Sequence, residues 1–447
     1  MGHSLKPRQI AVDILHRVFK TRSYADVLLH VQLSRFKMDT RDRSLVTEIV
    51  YGTLRWKGRL DAIIKRAYHG NWNQIPDRIL RILESALYQI LYLDRVPAYA
   101  AVNEAVTMSR NIFGSKWSNV TNALLRNIIR NPEQTDIFND TEQEPENLSE
   151  GLSHPDWMVK RWIDRLGMES ARDLCGWNNR SPVLNLRVNQ IRNSVSQCLS
   201  EIRAMGFDRL EISPWLDEFF SVYPGRDLIF SPAFSRGLVS VQDVSAGLVS
   251  HLMDPQPGER ILDMASAPGG KTTHLSELTR CRAEIISVDR LLHRTKRVVE
   301  NTERLGLSHI YHLVADSRSL PMQGAFDKVL LDAPCSGFGV LQKKPEIRWL
   351  RTQEQLKELV RVQRDLMEAA HHRVRRGGVL VYSTCTITPE ENGENVEYFL
   401  KRHPEYRIDS AVKYVSKQLV DASGALNVLP HIHHMDGGYA VRLERTA

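Results

Sequence analysis

No stretch of this 447-residue sequence approaches the ~20 consecutive apolar residues that cross a bilayer, so a membrane-spanning protein is not expected. The segment from Met1 to Phe19 lacks the uninterrupted apolar core of a signal peptide, because Lys6, Arg8 and Asp13 fall inside it; a cytoplasmic location is the expectation. Cysteine is scarce. Cys175, Cys198, Cys281, Cys335 and Cys385 form an odd set with no Cys-x-x-Cys pair, which excludes a disulfide framework and a sequence-local zinc site and points to reduced thiols. His431, His433 and His434 look metal-like but have no Cys or carboxylate at ligand spacing, so a solvated loop is expected there and no metal. Internal repeats and long low-complexity tracts are also missing. An apolar fraction of 42% and a charged fraction of 25% exclude a disordered or fibrous chain.

What is present is positive charge, and it is segregated. The net charge of +7 is small for this length, but residues 1–130 hold 21 Lys and Arg against 10 Asp and Glu, whereas residues 131–156 hold eight acids and no Lys or Arg. A basic N-terminal region permits a polyanionic partner with salt-dependent affinity, or is simply the solvated face of helices.

Apolar residues in that region recur at helical spacing: Ile10, Ile14, Val18; Leu45, Val46, Ile49, Val50; Ile79, Leu83, Leu87, Ile90. Five or more amphipathic helices, enough for an all-α domain over 1–145, are expected. The acidic stretch Asn131 to Asp156, with Pro132, Pro145 and Pro155, reads as a linker. Beyond it, Trp157–Leu166 and Ser194–Met205 are helical while Val183–Val188 and Phe219–Val222 alternate like strands, which suits a small α+β module over 152–235. Over 236–447 short apolar strands alternate with helices, at Arg260–Met264, Glu284–Asp289, Ile310–Ala315, Lys328–Asp332 and Val379–Ser383. Such alternation builds an α/β domain around a parallel sheet covered on both faces.

Ligands of open parallel sheets sit beyond the carboxyl ends of the strands. The polar and unusual residues fall there: Asp263 with Ala265 to Lys271, Asp289, Asp316, Asp332 to Gly337, and Ser383 to Thr386. In the first loop Ala265, Ser266, Ala267, Pro268, Gly269, Gly270 and Lys271 leave a strand, turn on two glycines and enter a helix. Glycines let the backbone approach a ligand, and the helix start adds unpaired N–H groups. Asp289, 26 residues after Asp263, closes the next strand, where a carboxylate accepts from ribose hydroxyls, and Asp316 can receive an adenine amino group. Gly270-Lys271-Thr272 also imitates a phosphate-binding Walker loop. That pattern requires Gly where Ala265 stands, and Asp289 would sit badly beside a triphosphate.

A lone cysteine after an apolar strand is more often a small buried residue than a nucleophile. Here there are two, in Asp332-Ala333-Pro334-Cys335-Ser336-Gly337 and in Ser383-Thr384-Cys385-Thr386, after strands that the fold makes neighbours. Paired thiols beside a nucleoside loop suit methylation of cytosine carbon 5, which is too poor a nucleophile to displace methyl from a sulfonium unaided. Attack by Cys385 on carbon 6 makes carbon 5 nucleophilic. Lys271 favours the thiolate, Cys335 is the candidate for the release step, and Asp332 can bind or protonate the ring's N3 edge.

Pro334-Cys335 and Thr384-Cys385 together resemble the paired motifs of the RNA 5-methylcytosine methyltransferases. The resemblance implies that Cys385 is the nucleophile, that Cys335 assists release, and that Ala265 to Lys271 with Asp289, Asp316 and Asp332 surround S-adenosyl-L-methionine. It extends along nearly the whole chain to the Fmu/Sun type, which acts on bacterial 16S rRNA. In that type, Asp42-Arg43 and Tyr51-Gly52-Thr53-Leu54-Arg55 mark a NusB-like RNA-binding domain, and Asn185-Leu186-Arg187-Val188-Asn189 marks an RRM-like module. The implied architecture is an all-α NusB-like domain (1–145), the α+β RRM-like module (152–235) and an α/β Rossmann-like class I methyltransferase domain (236–447), acting as a monomer on RNA. Lys343 to Trp349 resembles the family's basic loop, either meeting RNA phosphates and stacking a base on Trp349 or anchored by that tryptophan. Ala265-Ser266 replaces the usual Cys-Ala, and Asp436-Gly437-Gly438-Tyr439 replaces a more aromatic run, a departure expected to touch packing rather than chemistry. Another RNA such as tRNA as substrate, or a non-catalytic NusB-like binding factor, are the competing readings.

Overall fold

The computed structural model describes residues 6–36, 38–135, 145–223, 225–322 and 324–446. Its N-terminal helices, Pro7–Thr21, Ala25–Arg35, Thr40–Ala67, Asp77–Tyr92 and Ala98–Arg130, follow the apolar periodicity. Local chemistry sets their ends. Asp39 caps the third helix by accepting from the Asp42 N–H, and Gly114 interrupts the last with a φ of 78° that other residues adopt at a cost. Ile10, Ile14 and Val18 bury their stripe against Val46, Ile49 and Val50, and Ile79, Leu83 and Leu87 bury theirs against Leu60, Ile63 and Leu125. Each such side chain contributes about 1.5–3 kcal/mol relative to exposure.

The stretch read as a linker is partly structured. Residues 136–144 lie outside the described residues, but Pro145–Gly151 is a helix, with Leu148 buried. Two more helices, Asp156–Leu166 and Met168–Asn179, complete a unit of Met1–Arg180 that also takes in Leu341–Leu350. These helices therefore group with the N-terminal bundle and not with the strands after them. Polar links explain why: the Ser153 hydroxyl accepts from the Gly58 N–H at 2.9 Å, and Arg348 gathers the carbonyls of Ser153 and Asn178.

The second unit, Ser181–Val340 with Arg351–Ala447, holds both sheets. The smaller has strands β1 (Leu184–Val188), β2 (Leu210–Ile212), β3 (Phe219–Val222) and β4 (Val239–Val241), in the antiparallel order β2-β3-β1-β4. The larger has β5 (Arg260–Asp263), β6 (Glu284–Asp289), β7 (Ile310–Val314), β8 (Phe326–Asp332), β9 (Val374–Thr384), β10 (Tyr406–Asp409), β11 (Leu426–Val428) and β12 (Gly438–Arg445). Its order is β10-β12-β9-β8-β5-β6-β7, with β11 on β12; β5 to β9 run parallel and β12 is antiparallel to β9.

Chain order reverses at β5, because β6 and β7 go to one side and β8 and β9 to the other. A crevice opens at such a switch point beyond the strand ends. Five strands read from the sequence are thus all present: β8 and β9 start earlier than expected, β5 and β7 end one residue sooner, and β6 keeps its bounds. No helix among the described residues is long and apolar enough to cross a membrane.

Candidate active site

After β5 the chain turns through Ala265–Gly269 into the helix Gly270–Leu278. Several bonds hold the turn: Ser266 donates its N–H and hydroxyl to the Val288 carbonyl of β6, Arg294 reaches the Ala267 carbonyl and Asn301 the Pro268 carbonyl. Gly269 is required twice over. Its φ is +98°, and an added Cβ would lie 2.9 Å from Val298 Cγ1. The helix is also gripped from the small sheet, where the fully buried Arg187 forks onto both oxygens of Glu277, at 3.0 and 2.7 Å, and donates to the Gly270 carbonyl. Arg187, quoted above only as part of a recognisable run, thus supports the start of this helix.

Asp289 ends β6 almost fully buried; one oxygen accepts from the Leu291 N–H, while Oδ2 has no hydrogen-bond partner and only Arg294 at 3.5 Å. A buried carboxylate oxygen left open costs stability unless a ligand donates to it. Asp263, at the end of β5, accepts from Thr272 through Oδ2 and leaves Oδ1 unpartnered; burial pushes its carboxyl up to about 7. These orphaned acceptors around a glycine turn fit a nucleoside-bearing cofactor. Asp316 is less available, since Arg318 holds both its oxygens, at 3.0 and 2.6 Å, and keeps it down at about 2.

The parallel register sets Asp332 opposite Ser383, and the two cysteine loops emerge side by side from β8 and β9. Cys335 Sγ and Cys385 Sγ are 3.2 Å apart, with Cys385 exposed and Cys335 half-buried. Asp332 ties three elements, accepting from Lys271 Nζ at 2.7 Å and from the Ser383 hydroxyl at 2.8 Å. Burial lowers Lys271, but Asp332 and then Cys385 outweigh it and hold the ammonium above its ordinary value. The Cys335 thiol is raised well above normal, first by its hydrogen bond with Cys385 and then by burial.

Residues that sequence reasoning missed build this geometry. Glu391 accepts the Ser336 N–H at 2.8 Å and the Ser336 hydroxyl at 2.5 Å, and Asn392 accepts from the Thr384 hydroxyl while donating to the Thr386 carbonyl. Both cysteine loops are therefore anchored to one turn. The pocket in front of Cys385 is lined by Lys271, Asp332, Asp243, Asp436 and Tyr439, so the Asp436–Tyr439 run lies at the chemistry and not merely in packing. Asp243 caps the helix Val244–Met253 by accepting from the Ser245 N–H, and its Oδ1 also accepts from the Asp436 N–H at 3.1 Å.

One open alternative narrows, and one expectation needs correction. Arg348 is buried, donating to the carbonyls of Arg55, Ser153 and Asn178, and Trp349 donates its indole N–H to the Leu54 carbonyl at 2.7 Å. Of the two readings of Trp349, this geometry fits the anchor: the half-buried ring commits its N–H, and the Lys57 ammonium stands 5.6 Å from its centroid. His431 and His433 sit in a short helix, Pro430–His433, rather than a loop, with His433 Nδ1 accepting from the Leu429 N–H.

A parallel sheet reversing at β5, a glycine turn facing orphaned carboxylate oxygens, and the adjoining antiparallel β12 define a Rossmann-like class I methyltransferase that uses S-adenosylmethionine. Family models match along the chain: "16S rRNA methyltransferase RsmB/F" over residues 250–444, the NusB family over 5–130 and an RsmF/B-like ferredoxin-like domain over 154–218. The probable ribosomal RNA small subunit methyltransferase B of Synechocystis sp. is 35% identical over 99% of this chain and 100% of its own length, and that of Bacillus subtilis 32% identical over 98% of each. The crystal structure of PH0851 covers 99% of this chain and 100% of its own, with a TM-score of 0.82 at 26% identity. This chain belongs to the RsmB/F family of 16S rRNA methyltransferases, and it is an S-adenosylmethionine-dependent rRNA (cytosine-5)-methyltransferase.

Proposed function

We propose that this chain methylates carbon 5 of a cytosine in 16S rRNA through a covalent Cys385 adduct, as a cytoplasmic monomer. The observation that supports this most is the 3.2 Å separation of the two sulfurs, one exposed and one half-buried, beside Lys271 and Asp332. S-adenosylmethionine, held by Ala265 to Lys271, Asp289, Asp316 and Asp332, supplies an electrophilic methyl group when bound. The Lys271 ammonium favours the thiolate of Cys385, which adds to carbon 6 of the base and turns carbon 5 into an enamine-like nucleophile. Asp332, fixed by Lys271 and Ser383, binds or protonates the N3 edge.

Release uses the second sulfur. The hydrogen bond with Cys385 is the first cause that holds the Cys335 thiol up, ahead of burial, and it is lost once Cys385 is bound as a thioether. Cys335, after giving its own proton to solvent, takes the proton from methylated carbon 5 as a thiolate, and elimination of the thioether restores the ring and the Cys385 thiolate. The target base must leave its stack, at a cost of about a few kcal/mol. Selection of the RNA is assigned mainly to the NusB-like domain (1–145) and the RRM-like module (152–235), with the chemistry in 236–447.

Mapping 5-methylcytosine in 16S rRNA tests this reading. A strain lacking the gene should lose a methylcytosine that the parent chain restores and Cys385→Ala does not; restoration by Cys385→Ala overturns the assignment. Activity on naked 16S rRNA should vanish when residues 1–150 are removed.

A further inference from the structure

At the far end of β9 from Cys385, three side chains from three elements converge. His371 ends the helix Gln353–His371, His403 follows the helix Gly393–Arg402, and Glu405 precedes β10. His371 Nδ1 and His403 Nδ1 each lie 3.6 Å from Glu405 Oε1, and one donor atom of each residue lies within 4.8 Å of the other two. The opposite nitrogen of His403 is spoken for, since Nε2 stands 3.0 Å from Glu368 Oε2. A carboxylate only accepts, so Nε2 donates to Glu368, which leaves Nδ1 as the ring nitrogen that faces Glu405. His371 Nδ1 is buried and has no hydrogen-bond partner.

Two imidazole nitrogens and a carboxylate oxygen thus face one another, with the Arg445 guanidinium beside them acting on His371 and Glu405. Protons fit this geometry poorly, because 3.6 Å exceeds a hydrogen bond. A metal fits it well. With metal–ligand bonds of about 2.0–2.1 Å, the edge of a tetrahedron spans roughly 3.3–3.5 Å. A histidine whose far nitrogen donates to a carboxylate is also the usual arrangement of a metal ligand. The cluster is within reach of solvent, with Glu405 35% exposed.

We propose that His371 Nδ1, His403 Nδ1 and Glu405 Oε1 bind one divalent cation of borderline softness, zinc foremost, with solvent as the fourth ligand and Glu368 orienting His403. The ion ties the ends of two helices to edge strand β10. Imidazole and carboxylate donors suit zinc rather than magnesium or calcium. A second trio, Glu218, His251 and His274, is different: Glu218 Oε1 is already in hydrogen bond with His251 Nε2 at 2.7 Å, shorter than the span of two ligands across an ion, and His274 Nε2 is 3.3 Å away.

The test uses the full chain carrying Cys281→Ser, Cys335→Ser and Cys385→Ser, so that the cysteines within reach of solvent cannot take the ion. Chelator-stripped protein is titrated with zinc chloride by calorimetry and with cobalt(II) by absorption. One equivalent should bind, with an intense tetrahedral cobalt spectrum and a thermal midpoint raised by several degrees. Glu405→Gln and His371→Asn, each confirmed folded by circular dichroism, should abolish all three signals. Glu368→Gln should weaken binding by about 10–100-fold, and His251→Gln should leave it intact. Absence of saturable binding, binding that survives both Glu405→Gln and His371→Asn, or binding lost only in His251→Gln overturns the proposal.

Discussion

Two runs on either side of Val340 use polar side chains in opposite ways. In Leu341–Leu350, Arg348 spends both terminal nitrogens on backbone carbonyls and on Asn179, and Trp349 spends its indole N–H on Leu54. In the site that Asp332–Ser336 borders, by contrast, Cys385 after β9 is exposed, and Asp263 Oδ1 and Asp289 Oδ2 at the ends of β5 and β6 stay without hydrogen-bond partners. Leu341–Leu350 also leaves Glu346 Oε2 and Arg348 Nε unpartnered, so open atoms alone do not mark chemistry; an exposed thiol beside open carboxylates does. The difference separates chemistry at the strand ends from support in the run after Val340, although both looked functional.

The contrast can be broken most severely at Cys385. Cys385→Ala should cut methyl transfer on the order of 10⁴-fold or more, with no denaturant-resistant RNA complex on gels. Cys335→Ala should slow turnover by about 10²–10⁴-fold while such a complex accumulates; normal turnover would remove its release role. On the supporting side, Arg348→Met leaves several carbonyls unsatisfied and should cost about 3 kcal/mol in urea denaturation, with methyl transfer per folded molecule unchanged. Asp289→Asn should raise the KM for S-adenosylmethionine by about 10–100-fold, with a smaller effect on kcat, as expected for a charged hydrogen bond.

The mildest test is the pH dependence set by Asp263. Burial raises its carboxyl from 3.8 to about 7 in the folded chain, so between those values the folded form binds a proton that the unfolded form has released. Stability should therefore fall as pH rises through that window, by at most about 1.4 kcal/mol per unit. Asp263→Asn should flatten the slope, and an unchanged slope would show the carboxyl to be ionised throughout.

Legibility in the sequence followed the range of the interactions. The strands ending at Asp263, Asp289 and Asp332 were readable because apolar alternation and glycine turns are local signals. The helix Pro145–Gly151 was obscured by acidic composition, and Glu391 and Asn392, which anchor both cysteine loops, carry no local mark of that duty. His371 and His403 are 32 positions apart, beyond any ligand-spacing pattern, and only the packing of their helices brings them together.

By itself the sequence determined which groups can react and where strands and helices form, since thiol chemistry, helix periodicity and glycine turns depend on residue type and near neighbours. The tertiary structure alone decided the 3.2 Å between the sulfurs of Cys335 and Cys385, that Arg348 is scaffolding, and that Asp243 and Asp436 border the pocket. Contacts between distant residues arise when sheet order and burial bring them together, and no short window of sequence encodes that proximity.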